Sequence, residues 1–269
     1  MDNCERPIGV FDSGLGGLTV VKEILKNLPN ENIIFFGDTG RVPYGGRSKE
    51  TITQYVKDDM DFLLSHGVKA VVIACNTADS MARETVENLY NIPIIGVVSP
   101  AAKKAANATK NGRIGVIGTK ATVKSGAYLR AISAYSPETE VFVAACPLLV
   151  PLVEEGRFQK GDIVPETVLK EYLEPLKEKE IDTLILGCTH YPLLYDIVAS
   201  ILPDVQIICS GPASTEALIE TLSVNSLLNR SSSPGSISYF VSDSPDSFSK
   251  NGSIFIGKEI NSGVKLVNL

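Results

Sequence analysis

Eight short runs along the chain are apolar almost without interruption and stop abruptly at a polar or small residue: PIGVFD, NIIFFGD, AVVIACN, IPIIGVV, RIGVIGT, EVFVAAC, TLILGCT and VQIICSG. A strand covered on one face alternates in polarity, whereas one covered on both faces does not, so these runs predict parallel strands buried between layers. Stretches of helical period separate most of them. LTVVKEILKNL gathers Leu18, Val21, Ile24, Leu25 and Leu28 on one face, and KETITQYVKDDMDFLLSHG does the same with Ile52, Tyr55, Val56, Met60, Leu63 and Leu64. Strands alternating with helices predict an α/β fold of three layers, helix on both sides of a mainly parallel sheet.

The strand-like runs recur. IGVFDSG (8–14) resembles IGVIGTK (114–120), NIIFFGD (32–38) resembles EVFVAAC (140–146), AVVIACNT (70–77) resembles TLILGCTH (183–190), and IPIIGV (92–97) resembles VQIICS (205–210), at offsets between 106 and 114. Four units returning in order predict two similar, pseudo-symmetric α/β domains facing each other across a cleft. The expected division is 1–98 plus 210–269 for the first domain and 99–209 for the second. Helical pattern resumes at TEALIETLSVNSLL, and SSSPGS (231–236) reads as a linker. Beyond it, SISYFVSDSPDSFSK and SIFIGKEI are expected to add edge strands and a terminal helix.

Ligands of open parallel sheets bind at the carboxyl ends of the strands. The candidates are therefore Asp12 and Ser13, Asp38 and Thr39, Cys75 with Asn76 and Thr77, and Cys188 with Thr189 and His190. A single cysteine at a strand end is ordinarily core. Cys75 and Cys188 form a pair: each holds the same place in its half-repeat, each is expected to open a helix, and each precedes hydroxyl, amide or imidazole groups. Cys146 is followed by Pro147 and the apolar LLVPLV and reads as core, as does Cys209. Two thiols across a cleft permit redox exchange if their Cα atoms come within about 7 Å. They equally permit proton traffic, one thiolate taking a proton from one face of a carbon while a thiol delivers one to the other. An ordinary thiol, with a pKa of about 8.5, is mostly protonated at neutral pH; a helix N-terminus or the nearby imidazole of His190 is expected to lower it.

FDSGLGG (11–17) is a strand, a Gly-rich turn and a helix start. Its glycine spacing fits neither a dinucleotide fingerprint nor a P-loop, so a carboxylate suits its amides better than a nucleotide. Asp-Ser-Gly is also simply a good turn and helix cap. In YGGRS (44–48), Tyr44 and the amides of Gly45 and Gly46 offer a carboxylate clasp to which Arg41 or Arg47 adds charge, or else the stretch is a surface loop. Glu154 and Glu155, after an apolar run, taken alone read as a solvated acidic pair.

Composition narrows the function. The formal net charge of -6 leaves no basic surplus for a phosphate backbone, which argues against nucleic acid. No apolar run approaches the roughly 20 residues of a membrane helix, and MDNCERPIGVFDSG lacks the basic start and apolar core of a signal peptide, so a cytoplasmic protein is expected. Five cysteines without a secretory signal predict free thiols. With no CxxC pair and two histidines, no metal site is expected.

The set IGVFDSGLGGLTV, GDTGRVPYGGRS, IACNTA, PLLVPLVEEG and LGCTHYPLL, accompanied by VIGTKATVKSGAY (116–128) and TEALIETL (215–222), resembles bacterial glutamate racemase, of the cofactor-independent aspartate, glutamate and hydantoin racemases. The resemblance implies interconversion of L- and D-glutamate without a cofactor, supply of D-glutamate to peptidoglycan synthesis, and a homodimer. It implies that Cys75 and Cys188 are the two acid/base residues, with Asp12 assisting the first and His190 the second. Asp12, Ser13, Tyr44, Gly45, Asn76, Thr77, Thr189 and His190 would hold the substrate, and Glu154 would be an auxiliary acid, with Glu155 beside it leaving the register open. One departure is Cys209 in CSGPASTEA, where the family commonly has an acidic residue. Two other readings stay open, a racemase for aspartate or another amino acid and a two-lobed binding protein for a small anion.

Overall fold

The computed structural model describes residues 3–260 and 263–269; residues 1, 2, 261 and 262, within the range expected for the first domain, lie outside the described residues. The strands are β1 (Ile8–Asp12), β2 (Ile33–Gly37), β3 (Ala70–Ile73), β4 (Ile94–Ile95), β5 (Arg113–Gly118), β6 (Glu140–Ala145), β7 (Thr183–Gly187), β8 (Gln206–Cys209), β9 (Ile237–Val241) and β10 (Lys265–Leu266). They form two wholly parallel sheets, ordered β10-β9-β2-β1-β3-β4 and β6-β5-β7-β8. All eight runs identified from the sequence are strands. The shared order, β2-β1-β3-β4 in one sheet and β6-β5-β7-β8 in the other, puts every member of the sequence repeat at the same place as its counterpart.

The helices are α1 (Leu18–Asn27), α2 (Lys49–Ser65), α3 (Asn76–Val86), α4 (Val98–Ala108), α5 (Lys120–Ser125), α6 (Ala127–Tyr135), α7 (Leu149–Glu154), α8 (Ile163–Lys177), α9 (Tyr195–Ile201), α10 (Ser210–Val224) and α11 (Pro245–Ile256). They cover both faces of the sheets, which is why β1, β2, β3 and β7 are buried at every position. The apolar stripe of α1 is buried at Leu18, Val21 and Ile24, and that of α2 at Ile52, Val56, Met60 and Leu63. The chain leaves the first sheet through α4 and returns through α10, and these two helices pack on each other. One apolar cluster runs through both halves, from Val10 and Phe35 to Leu186 and Tyr191. Among the described residues no helix is long and apolar enough to cross a membrane.

Three expectations need correction. β9 is an interior strand, seated between β10 and β2, and it is β10 that lies at that edge of the sheet. SIFIGKEI adds no strand: Ser253–Ile256 completes α11, because Phe248, Gly252, Phe255 and Ile256 fall on one helical face and are buried together. Gly252 lets that face come close, since a Cβ there would lie 2.8 Å from Leu18 Cδ1. Finally, α10 starts at Ser210, directly after β8, well before the expected TEALIETL.

Candidate active site

Because both sheets are parallel, the carboxyl ends of β1, β3, β5 and β7 carry Ser13, Cys75, Thr119 and Cys188 to one place. There they border a cavity of about 420 Å³ whose walls also include Tyr44, Gly45, Asn76, Thr77, Glu154, Thr189 and His190. Of the residues to which the family resemblance gives a role, all are in this wall except Asp12, which lies just beneath it; the strand-end candidates Asp38 and Thr39 do not line it. Asp12 is buried, its Oδ2 accepting the amide of Gly14 at 2.9 Å and its Oδ1 3.5 Å from Thr189 Oγ1.

The two cysteine turns differ. Cys75 is the N-cap of α3, and its thiol donates to Ser13 Oγ at 3.5 Å. The helix N-terminus was expected to lower its pKa. Burial dominates instead, with the Asp12 carboxyl adding to it, and pushes the thiol up to about 12. Cys188 does not open an α-helix; its turn leads into a 3-10 turn, Tyr191–Leu194, before α9 begins. Its Sγ lies 3.9 Å from His190 Nδ1, and His190 Nε2 lies 3.0 Å from Glu154 Oε1. Burial works against a charged imidazole here, but the hydrogen bonds and negative charge of Cys188 and Glu154 outweigh it and raise His190 to about 10. The Asp12 carboxyl is raised, chiefly by burial, against the opposing charge of His190 and the amides of Gly14 and Gly17. One end of the cavity thus presents a neutral thiol, the other a cysteine sulfur beside a cationic imidazole.

The remaining groups tie the halves together. Asn76 Oδ1 accepts the Tyr128 hydroxyl at 2.6 Å, and its Nδ2 reaches Ser210 Oγ at 3.4 Å. Thr77 Oγ1 lies 3.0 Å from Thr119 Oγ1, and Thr119 Oγ1 is 3.0 Å from Thr122 Oγ1. Thr19 Oγ1 donates to the carbonyl of Thr189 at 3.0 Å. That approach requires glycine at position 16, where a Cβ would fall 2.2 Å from Thr189 Oγ1 and 2.6 Å from His190 Nδ1.

Several expectations are sharpened. Glu154 faces the cavity and Glu155 does not. The Tyr44 hydroxyl is held by the carboxyl groups of Asp38 and Asp59, so it is not free to clasp a ligand, although Tyr44, Gly45 and Gly46 all border the space. Neither Arg41 nor Arg47 lines the cavity; Arg41 is bound by Asp38, Asp58 and Asp59. Cys146 is buried, as core would be, yet it borders the cavity beside Pro147, Val150 and Pro151. Thr119 was missed, although laying IGVFDSG on IGVIGTK makes it the counterpart of Ser13. All five cysteines are free, as expected.

Comparison with known proteins follows the same lines. The profile of the Asp/Glu/Hydantoin racemase family matches residues 8–218. Glutamate racemase from Geobacter metallireducens is 45% identical over 256 residues, covering 95% of this chain and 94% of its own. Among solved structures, glutamate racemase from Francisella tularensis in complex with D-glutamate superposes with a TM-score of 0.91 at 41% identity, covering 98% of each chain. The RacE1 isoform of glutamate racemase from Bacillus anthracis gives 0.93 at 39% identity, again over 98% of each. The paired strand-end cysteines thus sit in a sequence and a fold that agree from end to end with these enzymes, and the chain belongs to the Asp/Glu/Hydantoin racemase family.

Proposed function

We propose that this protein interconverts L- and D-glutamate by a two-base mechanism in which Cys75 and Cys188 work on opposite faces of the substrate Cα. The observation that carries the reading is that these two thiols, delivered by equivalent strands of two equivalent sheets, border one cavity. The near-full-length relatives named glutamate racemase support the substrate, and the Francisella enzyme holds D-glutamate. The halves 1–98 plus 210–269 and 99–209 are the two lobes of this machine, a division supported by the membership of the two sheets.

In one direction the thiolate of one cysteine takes the Cα proton and becomes a thiol, while the other thiol gives its proton to the opposite face and becomes a thiolate. The configuration inverts and the cysteines exchange roles. His190, charged at neutral pH, is the counter-ion that a thiolate at Cys188 needs, and Glu154 holds it in place. Asp12 is the corresponding carboxyl beside Cys75. A carbanion-like transition state needs donors aimed at the developing charge on the α-carboxylate, and one such donor is worth roughly 10²–10³ in rate. Ser13, Asn76, Thr77, Thr189 and the amides around Tyr44 and Gly45 fill that role. The enzyme would act as a cytoplasmic homodimer feeding D-glutamate to peptidoglycan synthesis, as its resemblance to the bacterial racemases implies.

The test is to incubate each enantiomer separately in D2O, following optical rotation and loss of the Cα proton by NMR, with aspartate as a parallel substrate. Each glutamate enantiomer should give its mirror image carrying deuterium, with little label in unconverted substrate early on. Absence of exchange, or full turnover by both Cys75→Ala and Cys188→Ala, would overturn the proposal, and faster turnover of aspartate would reassign the substrate.

A further inference from the structure

Helix α2 buries Ile52, Val56, Met60 and Leu63, and on the same inner surface it buries Asp59, whose side chain is wholly inaccessible. An ionised carboxylate in such a place costs several kcal/mol unless it is well paired. Its neighbours come from the loop after β2 and from its own helix. Asp59 Oδ1 accepts Arg41 Nη2 at 2.9 Å, and Arg41 also gives Nε to Asp38 Oδ2 and Nη1 to Asp58 Oδ2, both at 2.6 Å. Tyr55 lies under the guanidinium, 4.3 Å from its ring centre. Three carboxyl groups therefore share one guanidinium, and Asp38 is as deeply buried as Asp59.

The hydroxyl of Tyr44 decides how the charge is arranged. It lies 2.5 Å from Asp38 Oδ2 and 3.1 Å from Asp59 Oδ2. A phenol has one proton, and the shorter contact to Asp38 takes it. If Asp59 were also ionised, its Oδ2 would face the phenol oxygen lone pair to lone pair. The contact is favourable when one of the two carboxyls carries a proton. Asp38 already accepts Arg41 Nε on Oδ2 and Ser242 Oγ on Oδ1, so the proton falls to Asp59, which donates it to Tyr44 while its Oδ1 goes on accepting from Arg41.

We propose that Asp59 is a protonated positioning residue, a neutral carboxyl that clamps Tyr44 and so fixes the 38–47 loop as one wall of the cavity. The loop's other side is fastened by Ser242, whose Oγ donates to Asp38 Oδ1 at 2.8 Å, and by Thr39, whose Oγ1 donates to the Asp243 carbonyl at 2.6 Å. Val42, Pro43, Tyr44, Gly45 and Gly46, between and just after these anchorages, all border the cavity, and Gly45 faces Thr119 of the other half, where a Cβ would lie 3.4 Å from Thr119 Cβ. Burial, with the charge of Asp38 adding to it, raises Asp59 well above the ordinary carboxylate range despite the opposing pull of Arg41 and of the Tyr44 hydroxyl.

The assignment of the clamp to substrate binding rests on the racemase reading; the protonation does not. Asparagine reproduces a protonated aspartate, with an oxygen for Arg41 and an N–H for Tyr44, so Asp59→Asn should keep kcat and KM for glutamate close to the parent. Asp59→Ala and Tyr44→Phe, which remove the clamp, should raise KM by roughly tenfold with a smaller effect on kcat. Infrared difference spectra of the parent against Asp59→Asn at neutral pH should show the carbonyl stretch of a protonated carboxyl present only in the parent. Loss of function in Asp59→Asn equal to that in Asp59→Ala, unchanged KM in both Asp59→Ala and Tyr44→Phe, or absence of the band would overturn the proposal. A parent that racemises neither enantiomer would instead sink the racemase reading, with the band still deciding Asp59. If Asp59→Ala does not fold, Asp59→Asn, Tyr44→Phe and the band still decide.

Discussion

His190 and Glu154 meet at 3.0 Å across the wall of the cavity, the imidazole from the turn after β7 and the carboxyl from the last residue of α7. The contact gives the buried imidazole one of the two partners that keep it charged, Cys188 being the other.

Removing that partner should therefore lower the pKa of His190. In Glu154→Gln the alkaline limb of kcat/KM assigned to His190 should move to lower pH, while activity near pH 6 changes least. A pH–rate profile of the two proteins checks this, and an unmoved alkaline limb would detach Glu154 from the mechanism. The same linkage predicts a stability trend. His190 is raised from 6.5 to about 10, so its contribution is fully present below pH 6.5 and is lost as pH rises towards 10. Melting temperatures of the parent and His190→Asn should converge over that window.

Cys75 should behave as an unusually basic thiol. Access slows its alkylation at any pH, so the informative quantity is the slope. For a thiol pushed up to about 12 the logarithm of the rate keeps rising through pH 10, where an ordinary thiol of pKa about 8.5 has levelled. Site-resolved mass spectrometry after timed iodoacetamide exposure measures it, and a plateau below pH 9 would contradict the assignment.

Gly16→Ala should be disabling. The added carbon meets Thr189 and His190 at distances no side chain tolerates, so the Cys188 turn must shift. A misplacement of about 1 Å costs on the order of 10²-fold in rate, and overpacking destabilises by about 1–3 kcal/mol. Steady-state kinetics and a thermal melt together check it; parent-like kcat/KM would show that the turn is not fixed by this contact.

Thr77 and Thr119 should be energetically coupled across the cleft, because their hydroxyls lie 3.0 Å apart. In a double-mutant cycle with Thr77→Val and Thr119→Val, read on KM for glutamate, the coupling should be about 0.5–1.5 kcal/mol. Simple additivity would mean that each acts alone. Thr119 also caps α5, accepting from Thr122 N, so Thr119→Ser, which keeps the cap, is the control.

The fold was legible because strands covered on both faces write their burial directly into sequence, as at Val71 to Ile73 and Leu184 to Leu186. The repeat carried the rest, including the equivalence of Cys75 and Cys188. Where reading failed, it failed on properties a sequence does not encode locally. Cys146 stands among apolar residues, and the apolar wall of a cavity has the same pattern as a core. Arg41 looked available for an anion because its partners Asp58 and Asp59 arrive from a helix one turn of the fold away. The position of Cys75 at a helix N-terminus could be read, but the depth of its burial, which reverses the expected direction of its pKa, is a property of the assembled fold. Ser253–Ile256 has strand-like composition, and only its register with Phe248 makes it helix.

The interior placement of β9 sets an order of assembly. During synthesis, domains form as units while the chain emerges. Residues 113–209 contain all four strands of the second sheet in one uninterrupted stretch, whereas β2 keeps one edge unpaired until the chain has been made through Val241. The half of the protein encoded in the middle is thus complete before the half that begins it. Asp38, beside the end of β2, meets Ser242 only then, so the wall around Tyr44 is secured late in synthesis, with α11 and β10 still to follow.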